Sequence, residues 1–515
     1  MAIASFVNET NINWNEAENE KVLREKIYEV QARFSAHYPL VIGGERVYKE
    51  DEKLSYNPSN HEQVVGYVSQ AAKEDIDEAI FSARNASLSW GLKSFRERAS
   101  YIFKMAQEIR KRKSELIAWH VMEAGKNWDE SEGDINEAID FLEMYGRKAI
   151  ELGEETDLKK EQRLDNRMEY LPLGTGVIIP PWNFPFAILT GMTASAIVTG
   201  NTVLVKPSSA TPVIGYQFME ILEEVGFPPG VVNFVPGSSR KIGDYMVGHR
   251  DVNFVSFTGS KEVGVHIDEV AHRRVEGQRW IKRVISEMGG KDGIVVDQSA
   301  DLEEAAQAIV TSAFGFQGQK CSAGSRAIIH EDVYDSLTEK VVSLTTQLSK
   351  GSPVENNEAG PVIDRASFDK ISQYIERGMK EADLIEGGGT DDSYGYYIDP
   401  TIFTNAPYES AIMKEEIFGP VLAMTKVSSF EEGIDVFNNT EYGLTGSLFT
   451  RNRDHIEYAR RFMTCGNLFF NGKCTGAVVG VQPFGGYYMS GTGAKTGTLD
   501  YLKHFVQTKT TSEIL

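Results

Sequence analysis

Cysteine is scarce in this chain. Among 515 residues only Cys321, Cys465 and Cys474 occur, and no two of them form a CxxC pair. Disulfide frameworks and thiolate zinc sites need closely spaced cysteines, so neither is predicted. Few, unpaired cysteines are typical of a reducing compartment, and we therefore expect a cytoplasmic protein in which Cys465 and Cys474 are buried or incidental.

Metal-ligand patterns are also missing. The nine histidines are scattered, without an HExxH motif and without two histidines four residues apart. Zinc enzymes usually place their ligands at such short spacings. We therefore predict no metal.

Basic charge is in the minority, with 53 Lys and Arg against 74 Asp and Glu, for a net charge of -21. Nucleic acids and anionic membranes bind through basic patches, so neither is expected as a partner. The acidic surface is expected to serve mainly solubility.

Long apolar runs are absent. The first residues, "MAIASFVNETNINWNEAENEK", lack the basic segment followed by an apolar stretch that marks a signal peptide. The most apolar region, about residues 176 to 205, is interrupted by Pro180, Pro181, Asn183 and Pro185 and is too broken for a membrane helix. It is typical of a buried strand followed by a helix.

The chain contains an alternation of short β-branched runs and stretches of helical length. The runs are "GVIIP", "TVLVKP", "VVNFVPG", "NFVSFTG" and "VISEMGG". This alternation predicts an α/β fold with a parallel sheet covered by helices on both faces. Helices are expected from about 73 to 150, a second α/β series after residue 300, and a C-terminal strand that pairs with another chain.

Chemistry-bearing residues follow several predicted strands, at the carboxyl ends where such sheets bind ligands. Gly259 and Ser260 begin a helix and are suited to a phosphate, although a structural turn is an equal alternative. Lys206 is suited to a ribose or phosphate, or is merely solvated. Glu287 in "SEMGGKD" is a candidate acid or base, or a solvated or salt-bridged glutamate.

Three further stretches are ambiguous when taken singly. Asn183 in "PPWNFPF" is either an oxyanion donor or the cap of the next helix. Glu416 and Phe418 in "KEEIFGPVL" are suited to a ribose and a flat ring, or form only a turn. Cys321 in "FGFQGQKCSAGSR" is a reactive thiol or a small buried residue that fills space.

The ordered series PWNF, KPS, FTGS, EMGGK, GQKCSA, EEIFGP and PFGG resembles the aldehyde dehydrogenase superfamily over nearly the whole chain. The resemblance implies Cys321 as nucleophile, Asn183 with the Cys321 backbone N–H as oxyanion donors, and Glu287 as the base that activates water. It implies a Rossmann-like cofactor domain (1–154 and 177–287), a second α/β catalytic domain (288–490) and a small β oligomerisation extension (155–176 and 491–515).

The same resemblance implies an NAD site and a homo-oligomer, either a dimer or a larger even assembly. The cofactor residues expected from it are Ile179, Pro181, Trp182, Lys206, Ser209, Gly259, Ser260, Glu416 and Phe418. Ser209 stands where members strict for NAD often carry a glutamate. Because a carboxylate there would repel a 2′-phosphate, we expect NADP to be accepted, but less well than NAD.

The stretches "GQKCSAGSR", "CTGAVVGVQPFGG" and "SGTGAKTGTLDYLKHF" resemble the 1-pyrroline-5-carboxylate dehydrogenase branch, which oxidises L-glutamate γ-semialdehyde. Ser322, Gly476 and Ala477 would then hold the α-carboxylate, and Phe184 and Phe484 would flank the aliphatic chain. Glu137 would approach the ammonium, unless it faces water as helical glutamates usually do. The rivals are another semialdehyde dehydrogenase, such as one for succinate semialdehyde, a cofactor-free thiol esterase, and a catalytically silent binding protein.

Overall fold

The structure, a computed structural model, describes residues 4–154, 158–159 and 161–515. Within these ranges the α-helices are α1 Ala17–Gln31, α2 Lys73–Trp90, α3 Phe95–Lys111, α4 Lys113–Trp119, α5 Trp128–Leu152, α6 Ala187–Val198, α7 Pro212–Val225, α8 Asp244–Gly248, α9 Lys261–His272, α10 Leu302–Phe314, α11 Glu331–Thr345, α12 Arg365–Glu381, α13 Ala411–Lys414, α14 Phe430–Asn438, α15 Arg453–Phe462 and α16 Leu499–Lys503. Short π-helical turns lie at His120–Ala124 and Ser239–Gly243, and 3-10 turns at Gly315–Gly318 and Pro353–Glu355.

The strands of the same ranges are β1 Ala36–Tyr38, β2 Leu40–Ile42, β3 Glu45–Val47, β4 Glu52–Asn57, β5 Asn60–Ser69, β6 Leu164–Pro172, β7 Thr175–Ile179, β8 Thr202–Val205, β9 Val232–Phe234, β10 Phe254–Thr258, β11 Arg283–Glu287, β12 Asp292–Val296, β13 Gly324–His330, β14 Asp383–Glu386, β15 Thr390–Asp391, β16 Tyr397–Ile398, β17 Thr401–Thr404, β18 Val421–Val427, β19 Tyr442–Gly443, β20 Thr445–Phe449, β21 Asn467–Phe470, β22 Tyr487–Tyr488 and β23 Val506–Ile514.

The first large sheet confirms the parallel arrangement predicted from the alternating runs. Its order is β11-β10-β7-β8-β9-β2-β3, with the first five strands parallel and β2 and β3 antiparallel at one edge. Strands covered on both faces are expected to be apolar throughout. β8 fits this expectation, since all four of its residues are buried.

The second large sheet has the order β14-β17-β18-β13-β12-β20-β21, parallel except for β14. It corresponds to the second α/β series expected after residue 300. Its strand β12 begins five residues after β11 of the first sheet ends, so the segment that contains Gly289 and Gly290 joins the two sheets. The predicted α/β fold is confirmed.

Helices fill the region from 73 to 150, as predicted. In α2 the apolar residues Ile76, Ile80, Ala83 and Trp90 are all buried. The longest helix of the described ranges, α5, packs against α3 and α6 and lines one side of the cavity described below. None of the helices in the described part of the chain combines the length and the apolar run that a membrane crossing requires.

The predicted C-terminal strand forms, and within the chain it pairs with a strand that the sequence did not indicate. β23 pairs antiparallel with β6 of the same chain, from Val506 opposite Pro172 to Ile514 opposite Leu164. This pairing is not evident from the sequence, because β6 is polar and lies more than 300 residues earlier. The domain boundaries stay predictions, and the predicted start of the extension at residue 155 lies outside the described residues.

Candidate active site

A cavity of about 550 Å³ is bordered by α5, α6 and the ends of both large sheets. It brings together residues that lie far apart in the sequence. Of the predicted site residues, its lining contains Glu137, Phe184, Glu287, Cys321, Ser322, Gly476, Ala477 and Phe484. Asn183 lies next to this lining, in the loop between β7 and α6.

Cys321 follows a strained turn. Phe316 and Gln317 have φ of 48° and 54°, a region that residues other than glycine rarely adopt. The half-buried thiol faces the cavity, whereas Cys465 and Cys474 are buried. Burial raises the pKa of the Cys321 thiol well above its usual range, and nearby carboxylates add to the effect. The ligand-free thiol is therefore protonated at neutral pH, and attack on a carbonyl needs a proton acceptor.

Asn183 does not cap the next helix. The N-cap of α6 is Phe186, without a side-chain cap, and Asn183 is buried and donates from Nδ2 to the Gln319 carbonyl oxygen at 3.0 Å. This hydrogen bond joins the Asn183 amide to the segment two residues before Cys321. Because a carboxamide has two N–H bonds, one remains for another acceptor.

Glu287 is neither solvated nor salt-bridged at its carboxylate. It ends β11, is 7% exposed, and has no hydrogen-bond partner on either oxygen within the described chain. Gly485 and Gly491 lie against it, since a Cβ on either glycine would come within 3.1 and 3.5 Å of a carboxylate oxygen. Burial raises the pKa of Glu287 well above its ordinary value, and the charge of Lys495 opposes this rise.

Lys495 is a residue of this site that the sequence analysis missed. Its ammonium donates to the carbonyl oxygens of Gly466 and Gly485, both at 2.6 Å, and to Asn467 Oδ1 at 3.0 Å. It thereby fixes the loop that faces Glu287. The only signal was a lysine among glycines in "SGTGAKTG", which by itself is typical of a surface turn.

The first sheet presents three predicted cofactor residues along one edge. Ile179 ends β7, Lys206 follows β8 and Gly259 follows β10, and these strands are parallel neighbours. Lys206 is not solvated, because it is 4% exposed and burial lowers its pKa to about 8. Ser260 caps α9 and accepts from the Val263 N–H at 3.4 Å. Ser209 is exposed in the turn after β8.

Glu416 and Phe418 approach this edge from the side of the second sheet, just before β18, and Pro181 and Trp182 follow β7 of the first sheet. Glu416 Oε1 accepts from the Gly290 N–H at 3.0 Å, and a Cβ on Gly289 would lie only 2.0 Å from that oxygen. Phe418, at a φ of 61°, contacts Trp182 edge to face at 5.5 Å, beside Pro181. A buried cation, a helix N-terminus, a carboxylate and an aromatic pair are groups that fit a dinucleotide.

The remaining predicted residues lie along the cavity. Ser322 Oγ is 2.8 Å from Thr475 Oγ1, and Gly476 has a φ of 78°. Glu137 does not face bulk water, because it lines the cavity half-buried, and burial with the charge of Asp134 raises its pKa to about 8.

Part of the cavity wall was not predicted from the sequence. Asn8, Glu9 and Asn11 of the N-terminal segment line it, as does Lys320, which is paired with Glu130 at 2.6 Å. No local pattern marks the N-terminal residues, because their contacts are made with helix α5 and with a loop more than 450 residues away.

Comparisons with known proteins agree with this geometry. Residues 48–511 match the sequence profile of the aldehyde dehydrogenase family. The 1-pyrroline-5-carboxylate dehydrogenase of Geobacillus thermodenitrificans (strain NG80-2) is 52% identical to this chain, and the match covers 96% of each of the two chains. The 1-pyrroline-5-carboxylate dehydrogenase of Staphylococcus aureus (strain MW2) is 49% identical, and the match covers 99% of this chain and 100% of the relative. The solved structure of 1-pyrroline-5-carboxylate dehydrogenase from Thermus with bound NAD is 45% identical, with a TM-score of 0.99 and each chain covered in full. The chain belongs to the aldehyde dehydrogenase family.

Proposed function

We propose that this enzyme oxidises L-glutamate γ-semialdehyde, the open form of 1-pyrroline-5-carboxylate, to L-glutamate with NAD. The observation that carries the proposal is the single cavity lined by Cys321 and Glu287 and, further along, by Glu137 and the Ser322–Gly476–Ala477 group. Relatives that cover the whole chain at about 50% identity and are named 1-pyrroline-5-carboxylate dehydrogenase support it.

The first step is the addition of Cys321 to the aldehyde. The thiol gives its proton to water, the sulfur bonds to the carbonyl carbon as the C=O π bond breaks, and the carbonyl oxygen takes the negative charge. The free N–H of Asn183 and the Cys321 backbone N–H donate to that oxygen. Hydrogen bonds from donors held in place in this way are strongest when the oxygen carries a negative charge. They therefore stabilise the transition state more than the uncharged carbonyl of the substrate.

When it is bound, the nicotinamide ring supplies the two-electron oxidation by accepting a hydride from the tetrahedral carbon. The residues proposed to hold that cofactor are Ile179, Pro181, Trp182, Lys206, Ser209, Gly259, Ser260, Glu416 and Phe418. Lys206 and Glu416 suit the ribose hydroxyls, and the N-terminus of α9 suits the pyrophosphate.

Glu287 acts on the resulting thioester. Its carboxylate takes a proton from a water molecule, whose oxygen bonds to the acyl carbon while the carbon–sulfur bond breaks. The acid leaves and Cys321 is restored as a thiolate. The raised pKa of Glu287 suits this role, because a base with a pKa nearer to neutrality accepts a proton more readily.

Substrate choice rests on the far part of the cavity. Ser322 and the backbone N–H groups of Gly476 and Ala477 bind the α-carboxylate, Glu137 pairs with the ammonium, and Phe184 and Phe484 flank the chain between them. A positive φ at Gly476 turns consecutive N–H groups toward one anion. Ionisation of Glu137, whose pKa is about 8 without ligand, is favoured by the arriving ammonium.

We also propose that the protein forms a homodimer or a larger even assembly in the cytoplasm, and that it accepts NADP, but less well than NAD. The exposed β6–β23 ribbon supports the first part, since a two-stranded ribbon is marginally stable by itself. The exposed, uncharged hydroxyl of Ser209 supports the measurable use of NADP, because it does not repel a 2′-phosphate.

The deciding experiment follows reduced cofactor in rapid mixing, with glutamate semialdehyde, succinate semialdehyde and propanal as substrates. Glutamate semialdehyde should give the highest kcat/KM. Cys321→Ala should show no reduction, whereas Glu287→Gln should show one burst per site and then stall as thioester. A higher kcat/KM for succinate semialdehyde, or steady turnover by Glu287→Gln, would contradict the assignment of substrate or base.

A further inference from the structure

The N-terminal segment forms part of the wall of the substrate cavity. Residues 4–14, here called the N-terminal strap, form neither helix nor strand, and α1 begins only at Ala17. Three of its residues, Asn8, Glu9 and Asn11, belong to the cavity lining. The match to the aldehyde dehydrogenase family begins at residue 48, so the strap lies outside the part of the chain that the family profile covers.

The strap is attached along one face of α5. Glu132, Asn136 and Asp140 are spaced four residues apart and therefore lie on the same side of that helix, and all three are buried. Each binds the strap: the Ile12 N–H donates to Glu132 at 2.6 Å, Asn136 Nδ2 donates to Asn11 Oδ1 at 2.9 Å, and the Glu9 N–H donates to Asp140 Oδ1 at 2.8 Å.

Charged and apolar contacts reinforce this attachment. Glu9 pairs with Arg110 at 2.8 Å, and the Lys113 ammonium donates to the Thr10 carbonyl oxygen at 3.0 Å. Trp14 contacts Trp128 edge to face, with ring centroids 5.6 Å apart. The strap is thus attached by hydrogen bonds, an ion pair and a ring contact, although it has no regular secondary structure.

Asn8 joins two parts of the proposed substrate site. Its Nδ2 donates to Asp140 Oδ2 at 2.8 Å and to the Val479 carbonyl oxygen at 2.9 Å. Asp140 lies one turn after Glu137 on α5, and Val479 lies two residues after Ala477. One amide therefore connects the helix that carries the ammonium partner with the loop that carries the carboxylate donors.

We propose that Asn8 is a positioning residue that fixes the distance between Glu137 and the Gly476–Ala477 loop, so that the strap makes the cavity selective for an aldehyde bearing both an ammonium and a carboxylate. The inference rests on the proposed function, because only such a substrate uses both groups at once. A small error in the spacing of two anchors weakens a substrate that must reach both.

Asn8→Ala tests the proposal with glutamate semialdehyde and propanal as paired substrates. KM for the semialdehyde should rise about tenfold, the effect of about one buried hydrogen bond to a charged group. Its kcat should stay close to wild type, and kcat/KM for propanal, which uses neither anchor, should change little. Equal losses on both aldehydes would overturn the inference. Wild-type enzyme that leaves the semialdehyde unoxidised would instead refute the proposed function.

Asn13→Ala is the matched control. Asn13 belongs to the same segment and is exposed, and within the described ranges its side chain bonds only to Glu16 and to the Asn15 N–H. The substitution therefore removes the same groups without touching α5 or the loop. Its kinetics should equal those of wild type on both substrates.

The double variant Asn8→Asp, Asp140→Asn separates attachment of the strap from the link to the loop. It exchanges donor and acceptor, so the bond between positions 8 and 140 reforms, but position 8 no longer donates to Val479. Protease resistance of the strap should match wild type while KM for the semialdehyde stays raised. A wild-type KM in this variant would show that attachment alone suffices and would overturn the role given to the link.

Hydrogen exchange gives a measurement that does not depend on activity. Without the link, the backbone amides of residues 476–480 should exchange faster in Asn8→Ala than in wild type, and those of α5 should not. Unchanged exchange in this loop would contradict the proposal whatever the kinetics show.

Discussion

At the scale of single residues, two opposing influences set the pKa of Glu287, the proposed base: its burial and the charge of Lys495. Burial favours the protonated carboxyl and raises its pKa, whereas the Lys495 charge favours the carboxylate and lowers it. Among the groups that lower this pKa, the Lys495 charge acts most strongly and the Gly486 backbone N–H less, so Lys495 is the main protein group that supports the carboxylate.

Lys495→Met should therefore shift the pH dependence of turnover. Without the ammonium the pKa of Glu287 rises further, so the carboxylate is lost at a higher pH and the acidic limb of kcat moves upward. The measurement is kcat against pH, together with the size of the hydride burst, which precedes the action of Glu287 and should persist. An acidic limb that stays in place would assign Lys495 a purely structural role.

Lys495→Arg is the control for charge. It keeps the cation but cannot reproduce the three contacts of an ammonium, so the loop at Gly485 should loosen while the limb moves less than in Lys495→Met. An equal shift in both variants would mean that the position of the loop, rather than the charge, determines the acidity of Glu287.

Ser209 is predicted to govern tolerance of NADP. Its exposed hydroxyl carries no charge to repel a 2′-phosphate, so wild-type enzyme should use NADP measurably but less well than NAD. Ser209→Glu should remove the NADP activity and keep the NAD activity, as measured by kcat/KM with each cofactor. Ser208→Glu, at the neighbouring position, is the control. An unchanged ratio of the two cofactors in Ser209→Glu would place the discriminating group elsewhere.

At the scale of the elements, Arg98 holds three helices together. This buried side chain of α3 donates from Nε to the Val198 carbonyl oxygen at the end of α6, at 2.8 Å. It also donates to the carbonyl oxygens of Gly91 and Lys93, in the turn that follows α2. Helix ends leave carbonyl groups unpaired, and the guanidinium pairs several of them at once.

Arg98→Ala should lower the free energy of unfolding by on the order of 3 kcal/mol, because it leaves buried carbonyl groups without a donor and opens a cavity. Arg96→Ala, an exposed arginine on the same helix, is the control and should change stability little. Thermal and urea unfolding of both variants give the comparison. A stability of Arg98→Ala equal to that of Arg96→Ala would show that water satisfies the freed carbonyls.

At the scale of the whole molecule, the β6–β23 ribbon protrudes with little support of its own. Seven of the nine residues of β23 are exposed, and β23 pairs within the described chain only with β6. Ribbons of two strands are marginal in water, and unpaired edges invite pairing with another chain. The expectation of a partner chain at this end of the protein thus survives, although β23 itself pairs internally.

A chain that ends at Val506 should form a smaller assembly. This truncation removes the exposed part of β23 and keeps the buried Phe505 and Val506 in place. Light scattering after gel filtration should give an even multiple of the 57.3 kDa chain for the full-length protein and a lower mass for the truncated one. A chain lacking only Leu515 is the control. Identical masses for all three would locate the interface elsewhere.

Much of the candidate site was predictable because its residues directly follow strands. The predicted runs became β7, β8, β10 and β11, and parallel strands bring their carboxyl ends to one edge without further information. Local motifs therefore sufficed to nominate Lys206, Gly259 and Glu287, while the resemblance to a family supplied the roles.

The sequence left two structural environments open for several single residues, and only the folded chain distinguishes between them. The sequence does not distinguish an asparagine that caps a helix from one that donates to Gln319, nor a solvated glutamate from one that is 7% exposed without a partner. Burial and hydrogen bonding depend on which distant segments pack nearby, and pKa values depend on burial.

By itself, the sequence determined the class of fold and the succession of strands and helices in the first large sheet, because hydrophobic periodicity acts over a few residues. It nominated Cys321 as nucleophile only through the resemblance to a family. Only the tertiary structure decided that β23 pairs with β6, that Lys495 faces Glu287, and that Asn8 links α5 to the loop at Val479. Such contacts join residues separated by hundreds of positions, and they form because packing of the whole chain brings their polar groups within hydrogen-bonding or Coulombic range.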